Sequence, residues 1–389
     1  MRITRQPLPN RYNGLTEHTL GLPAEAYFDP GLHERDLRRI WYRNWVYVGR
    51  SSSVSKPRSF RTHEIGDQRI LLVRDEAGVL RGFYNTCRHR GAALCRENEG
   101  TLAAGSIVCP YHAWTYSLQG DLKRTSSKQH GAGFEVADYP LYRIGVAERA
   151  GFIFVALDES APPVDTTFDP PLSRLEAWPL SDLLVGHSAT KKIECNWKLF
   201  WENFNECLHC PVVHPALSQL VPIYGRGIIM EGDDPNWSET AGDPDPKYKG
   251  GLRRGAQTWS LDGQPVGVPF PGLSAEDRRR GALYVINLPS VFIVAHLDYV
   301  RVVRVRPLGP EQTELHVEYL FSSETLAQPG FDLHKIVDFA DTVMSEDVAV
   351  CELNQRGLKA APHVGGVLMP EEHLVHLFHR WVRSELERT

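Results

Sequence analysis

Apolar residues recur along this chain with two periods, and the change from one to the other divides it. Residues 1–25, rich in proline, asparagine and polar groups, read as an extended arm. At Asp29-Pro30 a helix begins: aspartate can cap it, proline is tolerated in the first turn, and Leu37, Ile40, Trp41 and Trp45 follow at helical spacing. From Trp45 to about Leu157 the pattern changes to short apolar runs (Ile70 to Val73, Val79 to Tyr84, Ile107-Val108, Gly151 to Leu157) separated by Gly, Asp and Asn turns. That alternation predicts a small β domain. The stretch Ser160-Ala161-Pro162-Pro163-Val164-Asp165 then reads as a linker or surface loop.

Helical spacing returns at Trp197, Trp201, Phe204 and Leu208, which predicts one buried face of a helix ending near Pro211. Residues 231–256 are polar and glycine-rich, and the expectation is a mobile loop. Ala282 to Val294, Val300 to Val305 and Leu315 to Phe321 read as successive strands of an antiparallel sheet. Two helices close the chain, around Asp338 to Arg356 and from Pro370 to about Leu386. The Arg278-Arg279-Arg280 run reads as a solvated surface.

Length and charge narrow the classes. At 389 residues the chain is too long for a small electron-carrier module and fits two domains or one large one. With 43 basic against 48 acidic residues the net charge is −5, which argues against a dedicated nucleic-acid binder. No apolar run is long enough to cross a bilayer and the first residues lack a secretory pattern, so the expected address is cytoplasmic, with no membrane partner. Seven cysteines, an odd number, point away from a disulfide framework.

Two of those cysteines sit at metal-ligand spacing. Cys87-Arg88-His89 and Cys109-Pro110-Tyr111-His112 form two Cys–His pairs, each at a strand-to-turn position. Two thiolates and two imidazoles could hold zinc tetrahedrally, or a [2Fe–2S] cluster with both cysteines on one iron and both histidines on the other. Cys95 lies between the pairs but outside their spacing and reads as a buried small residue. A second string runs from Asn196 to Pro215. On one continuous helix Glu202, Glu206 and His209 would form a polar stripe opposite the aromatic face, costly to bury without a partner such as a metal. His214 could reach the same ion only if the helix breaks between the histidines, and Pro211 offers that break.

The surroundings of both strings carry a resemblance. Cys87-Arg88-His89-Arg90-Gly91 and Cys109-Pro110-Tyr111-His112-Ala113-Trp114 resemble the Rieske iron–sulfur motif, and Asn196-Trp197-Lys198, Glu202-Asn203, Glu206-Cys207-Leu208-His209-Cys210 and His214-Pro215 resemble the signature of the catalytic (alpha) subunit of Rieske non-haem iron oxygenases. A downstream match at Glu346-Asp347, Cys351-Glu352, Gln355 and Gly357 completes it. The resemblance implies that Cys87, His89, Cys109 and His112 hold the [2Fe–2S] cluster, and that His209, His214 and Asp347 form a facial triad on mononuclear Fe(II). Glu346 and Asp341 stand as alternative ligands. It also implies an α+β subunit: an arm and helix over residues 1–44 packing on the catalytic domain, a Rieske domain over 45–157, and a catalytic domain over 158–389 whose antiparallel sheet grips a long helix.

In this family the subunits form a ring, normally a homotrimer, in which one subunit's cluster lies beside the next subunit's iron. By matching, Glu206 is the carboxylate that links His209 to His112 of the neighbour, and Asn203 either tunes the iron's open side or is a structural amide. The implied activity consumes O2 and two electrons from an NAD(P)H-dependent flavin or iron–sulfur reductase, with or without a ferredoxin between them. Chain length, the glutamate at position 206 and the ending around Gln355-Arg356-Gly357 most resemble the glycine betaine and choline monooxygenase branch. That branch favours an N-methyl or quaternary ammonium substrate held by an aromatic cage, with Tyr284, Phe292, Tyr299 and Trp259 as candidates. An aromatic acid is the alternative substrate; a Rieske electron carrier and a zinc hydrolase are the alternatives of other classes. The cysteines other than Cys87 and Cys109 are expected as reduced thiols.

Overall fold

The first helix forms where its cap predicts. The Asp29 carboxylate accepts the Leu32 N–H at 2.8 Å, Pro30 occupies the first turn, and the helix runs Pro30–Asp36 before widening into a π turn over Leu37–Trp41 that buries Ile40 and Trp41. The structure, a computed structural model, describes residues 12–388, so the arm expected over residues 1–25 lies within the described residues only from residue 12 onward. These divide into two compact units, one comprising residues up to Ile40 together with those from Asp165 onward, the other Trp41–Val164.

The Trp41–Val164 unit is built from three small antiparallel sheets. Leu80–Tyr84, Gln68–Arg74, Ser59–Ile65 and Glu99–Thr101 form the largest. The run Ile70 to Val73 is wholly buried because it is packed on both faces, which is why it reads as continuous rather than alternating. A second sheet joins Gly145–Arg149, Phe152–Ala156 and Val46–Arg50, and a third joins Ser106–Val108, Thr115–Ser117 and Leu122–Arg124. The turn between the first two strands of that third sheet carries Cys109 to His112.

The other unit is organised on a six-stranded antiparallel sheet in the order Phe168–Asp169, Leu283–Asn287, Val291–Ala295, Val300–Gly309, Gln312–Phe321, Leu184–Ile193. The strand expected over Ala282 to Val294 is in fact two, turned at Leu288-Pro289-Ser290, where Ser290 N–H bonds the Asn287 carbonyl at 3.0 Å. Leu184–Ile193 escapes sequence reading because it is an edge strand with many exposed polar positions.

The helix Trp197–Phe204, capped by the Asn196 side chain on Lys198 N–H at 2.9 Å, lies on this sheet through Phe200, Trp201 and Phe204 against Phe292. It ends at Phe204, not near Pro211: the Asn205 amide turns back to donate to the Trp201 carbonyl at 2.7 Å, and Leu208 is left exposed. A long helix, His334–Gly357, packs beside it, with Asn196 N–H bonding Gln355 Oε1 at 2.8 Å. The expected mobile loop at 231–256 instead packs, with Asp233, Asp234 and Leu252 buried and short helical turns at Trp237–Thr240 and Pro246–Lys249. Its acidic groups bury because they find partners: Arg226, eight residues back, on Asp234, and Asn13, far off in sequence, on Asp233 at 3.2 Å.

One buried ion pair ties the first helix to this arrangement. Lys198 donates to Asp36, which also accepts the Trp197 indole N–H at 3.3 Å, and both charges are almost fully buried. Removing one member strands the other in a low-dielectric interior. Lys198→Met is therefore expected to lower stability by about 3–5 kcal/mol, measured by chemical denaturation, and a paired Asp36→Leu/Lys198→Met variant to recover most of it.

Candidate metal centres

In the Trp41–Val164 unit the two Cys–His segments fold as twin loops. Cys87 N–H bonds the Ala92 carbonyl and Gly91 N–H bonds the Cys87 carbonyl; Cys109 N–H bonds the Trp114 carbonyl and Ala113 N–H bonds the Cys109 carbonyl, all at 2.8–3.0 Å. Each loop needs a left-handed residue at the same place, Gly91 in one (φ 76°) and Ala113 in the other (φ 52°). The loops bring the buried Cys87 and Cys109 together below and the two imidazoles together above, with ring centroids 4.7 Å apart. His89 is steadied by stacking on Trp114 at 4.9 Å. The Tyr116 hydroxyl lies 3.2 Å from Cys87 Sγ and accepts the Arg88 N–H at 3.1 Å, a contact that sequence reading did not identify. Burial, together with the neighbouring Cys109, raises the Cys87 pKa. His112 Nδ1 is buried without a hydrogen-bond partner. A buried, unpaired imidazole nitrogen beside a second histidine and two thiols fits a cluster ligand. Cys95 is buried, as expected, its thiol pushed up to about 11 by burial.

In the other unit three groups converge. His209 and His214 point their Nε2 atoms at one oxygen of Asp347, at 3.5 and 2.9 Å. The break that allows this has two parts. The helix stops at Phe204, His209 follows in the turn, a single helical turn Cys210–Val213 intervenes, and His214 leaves helical geometry (φ −118°, ψ 72°) before Pro215–Leu220. Pro211 is not the break but sits inside the short turn.

The opposite nitrogen of each ring is held by a carboxylate. His209 Nδ1 bonds Glu206, whose other oxygen accepts the Leu208 N–H, and His214 Nδ1 bonds Glu346 at 2.8 Å. Glu346 is thus the orienting partner of His214, while its neighbour on the helix, Asp347, faces the shared point; Asp341 is exposed. Asn203 Nδ2 comes within 3.4 Å of His209 Nε2. Burial alone would lower the His209 pKa, but hydrogen bonds to Asp347 and Glu206 outweigh it and raise the pKa to about 9; the same balance raises His214. Asp347 is held below its usual range because bonds to both histidines outweigh its burial. A divalent cation would take the place of that shared proton affinity, and two imidazoles with one carboxylate suit iron.

Cys210 lies in the same group as the histidine nitrogens, all within 4.8 Å. It offers no thiolate, because Cys207 and Cys210 are joined in a disulfide. The expectation of reduced thiols holds for Cys95, Cys195 and Cys351 and fails for this pair: the turn after Phe204 brings their Cα atoms to 5.0 Å, within bridging range.

The triad opens on a cavity of about 110 Å³ walled by Phe200, Phe204, Trp259, Tyr284 and Phe292, with Arg301 and Met344. Of the four aromatic candidates, Trp259, Tyr284 and Phe292 line it; Tyr299 does not, its hydroxyl being spent on the Trp259 carbonyl at 2.9 Å.

A β unit with a paired Cys–His site and a helix-on-sheet unit with a two-histidine, one-carboxylate site define a two-centre iron oxygenase. Comparison with known proteins gives the family. Residues 44–140 match the Rieske [2Fe-2S] domain, and residues 180–388 match the ring hydroxylating alpha subunit (catalytic domain). The chain belongs to the Rieske non-haem iron oxygenases, as a catalytic alpha subunit, and those two domains imply a [2Fe–2S] cluster and a mononuclear iron. It is similar to the glycine betaine monooxygenase oxygenase subunit of Chromohalobacter salexigens (27% identity; 89% of this chain, 81% of the relative). It is also similar to the carnitine monooxygenase oxygenase subunit of Escherichia coli (28%; 96% of this chain, 95% of the relative). Its fold matches a solved quaternary ammonium Rieske monooxygenase with a TM-score of 0.70 at 21% identity, over 98% of this chain and 99% of that one.

Asp347→Ala is expected to lose the mononuclear iron while the visible absorbance of the cluster remains, as read by metal analysis and spectrum together. Glu346→Gln should weaken iron binding by about 10–100-fold without touching the cluster, because it removes only the group that orients His214.

Proposed function

We propose that this subunit is the terminal oxygenase of an NAD(P)H-driven pair and that it hydroxylates or N-demethylates a small N-methyl or quaternary ammonium compound. The observation that carries the reading is the cavity. The two-histidine, one-carboxylate set forms one wall, and aromatic faces that attract a cationic methylammonium group form the others. The relatives named for glycine betaine and carnitine support the same substrate class.

His209, His214 and Asp347 would hold the mononuclear iron, and Cys87, Cys109, His89 and His112 the cluster. Together these groups, when bound, would supply O2 activation with electrons delivered one at a time. The chain's own residues do the rest. Glu206 and Glu346 fix the two imidazoles with Nε2 inward, so that the triad occupies one side of the site and leaves the cavity side free for oxygen and substrate. Phe200, Phe204 and Phe292 keep water from the reacting carbon.

Electrons reach the site across a subunit boundary in this reading. Glu206 sits on His209 Nδ1 and links it to His112 of the partner subunit in a ring of three, and a reductase reduces the cluster. Inter-subunit electron transfer is named for the solved relative.

Incubation with a compatible reductase, NADH and glycine betaine, carnitine or choline is expected to couple O2 uptake to product, with formaldehyde released in the case of demethylation. Turnover confined to aromatic acids would overturn the substrate class. Glu206→Gln is expected to keep a reducible cluster and, once saturated with iron, still to lose at least about 10–100-fold in turnover. Full activity in that variant would remove Glu206 from the electron path.

A further inference from the structure

One charged group in the cavity has no task in the reading above. Arg301 lies on the strand Val300–Gly309, in a cross-strand row that runs Tyr284, Val294, Arg301, Tyr319. Its side chain therefore stands on the face that gives Tyr284 and Phe292 to the cavity, and it lines the same cavity as His209, His214 and Asp347. Arg301 is only 7% exposed, and its Nε has no hydrogen-bond partner.

Its neighbours on the strand are treated differently. Arg304 and Arg306 both pair with Glu314, at 3.4 and 3.0 Å, whereas no side-chain hydrogen bond or ion pair reaches Arg301 among the described residues. The carboxylates that share its cavity, Glu206 and Asp347, are committed to the histidines. A guanidinium cannot shed its charge, and burying it unpaired is costly. In a cavity with aromatic walls, what completes it is an anion brought by the ligand, and a planar fork of N–H donors matches a carboxylate.

We propose that Arg301 is the specificity residue that anchors a carboxylate of the substrate, so that the substrate is a small carboxylate-bearing molecule. Resting on the proposed function, this narrows the quaternary ammonium class to zwitterions: the ammonium methyls face Trp259, Tyr284 and Phe292, and the carboxylate pairs with Arg301. A cation with a neutral tail, such as choline, meets an uncompensated like charge and is rejected.

The test is isothermal calorimetry on the iron-loaded holoprotein without reductant, titrated with glycine betaine, carnitine, choline and benzoate. Wild-type protein is expected to bind at least one betaine about 30- to 1,000-fold more tightly than choline. Arg301→Met is expected to abolish that preference, and Arg301→Lys to keep part of it. The melting temperature of Arg301→Met should stay level or rise, because an unpaired buried charge has been removed. Equal binding of choline and the betaines by wild type, unchanged betaine binding by Arg301→Met, a clear fall in its melting temperature, or no binding of any carboxylate would each overturn the assignment. If Arg301→Met does not fold, it too counts against it, and the wild-type ranking is read alone. Benzoate binding that depends on Arg301, with both betaines refused, would keep the anchor and sink the N-methyl substrate instead.

Discussion

The larger unit depends on one constraint: two imidazoles and a carboxylate must meet at one point although their chain positions belong to segments more than a hundred residues apart. His209 and His214 reach Asp347 at 3.5 and 2.9 Å only because the helix after Asn196 is short and its continuation is broken twice. The long helix must also lie close enough to present Asp347, and it is fixed there by Gln355 on the Asn196 backbone and Cys351 against the Leu199 carbonyl. The geometry of the metal site is in this sense a packing problem. The aromatic contacts of Trp201 and Phe204 with Phe292 set the height of the first helix above the sheet, and the site follows from that height.

Electrostatics then decides what each carboxylate near the centre does. Glu346 and Asp347 are adjacent on the helix and so point about 100° apart; His214 fits between them, with one ring nitrogen on each. The two are chemically alike, and only direction separates the one that holds Nδ1 from the one that faces Nε2. Glu206 plays the same part for His209 from the turn that follows the first helix. Each ring is therefore held in orientation by its carboxylate, which lowers the reorganisation that metal binding requires. The cluster unit reaches the same end differently, by repeating one backbone loop twice and using Tyr116 and Trp114 to brace a thiol and an imidazole.

Much of this was legible in the sequence where the signal is local. The Asp29 cap, the buried run Ile70 to Val73, the long helix and the Cys–His loops all depend on residues within a few positions of each other. The site residues were legible as residues, through motif resemblance, but their partners were not. The packed state of 231–256 was hidden because Asp234 pairs with Arg226 and Asp233 accepts a hydrogen bond from Asn13, contacts that composition cannot foresee. The early end of the helix at Phe204 was hidden for a similar reason: periodicity continued through Leu208, and the Asn205 side chain ended it.

Sequence by itself determined the donor types and their order: two Cys–His pairs in a β-rich stretch, then two histidines, then an acidic pair on a helix. Chemistry of that kind is carried by residue identity and spacing. Tertiary structure alone decided that Glu346 bonds Nδ1 of His214 while Asp347 faces its Nε2, that Tyr299 is outside the cavity and that Arg301 lines it with its Nε unpartnered among the described residues. Each of those depends on the direction a side chain takes from a strand or helix placed by distant contacts, and direction is what a linear pattern does not record.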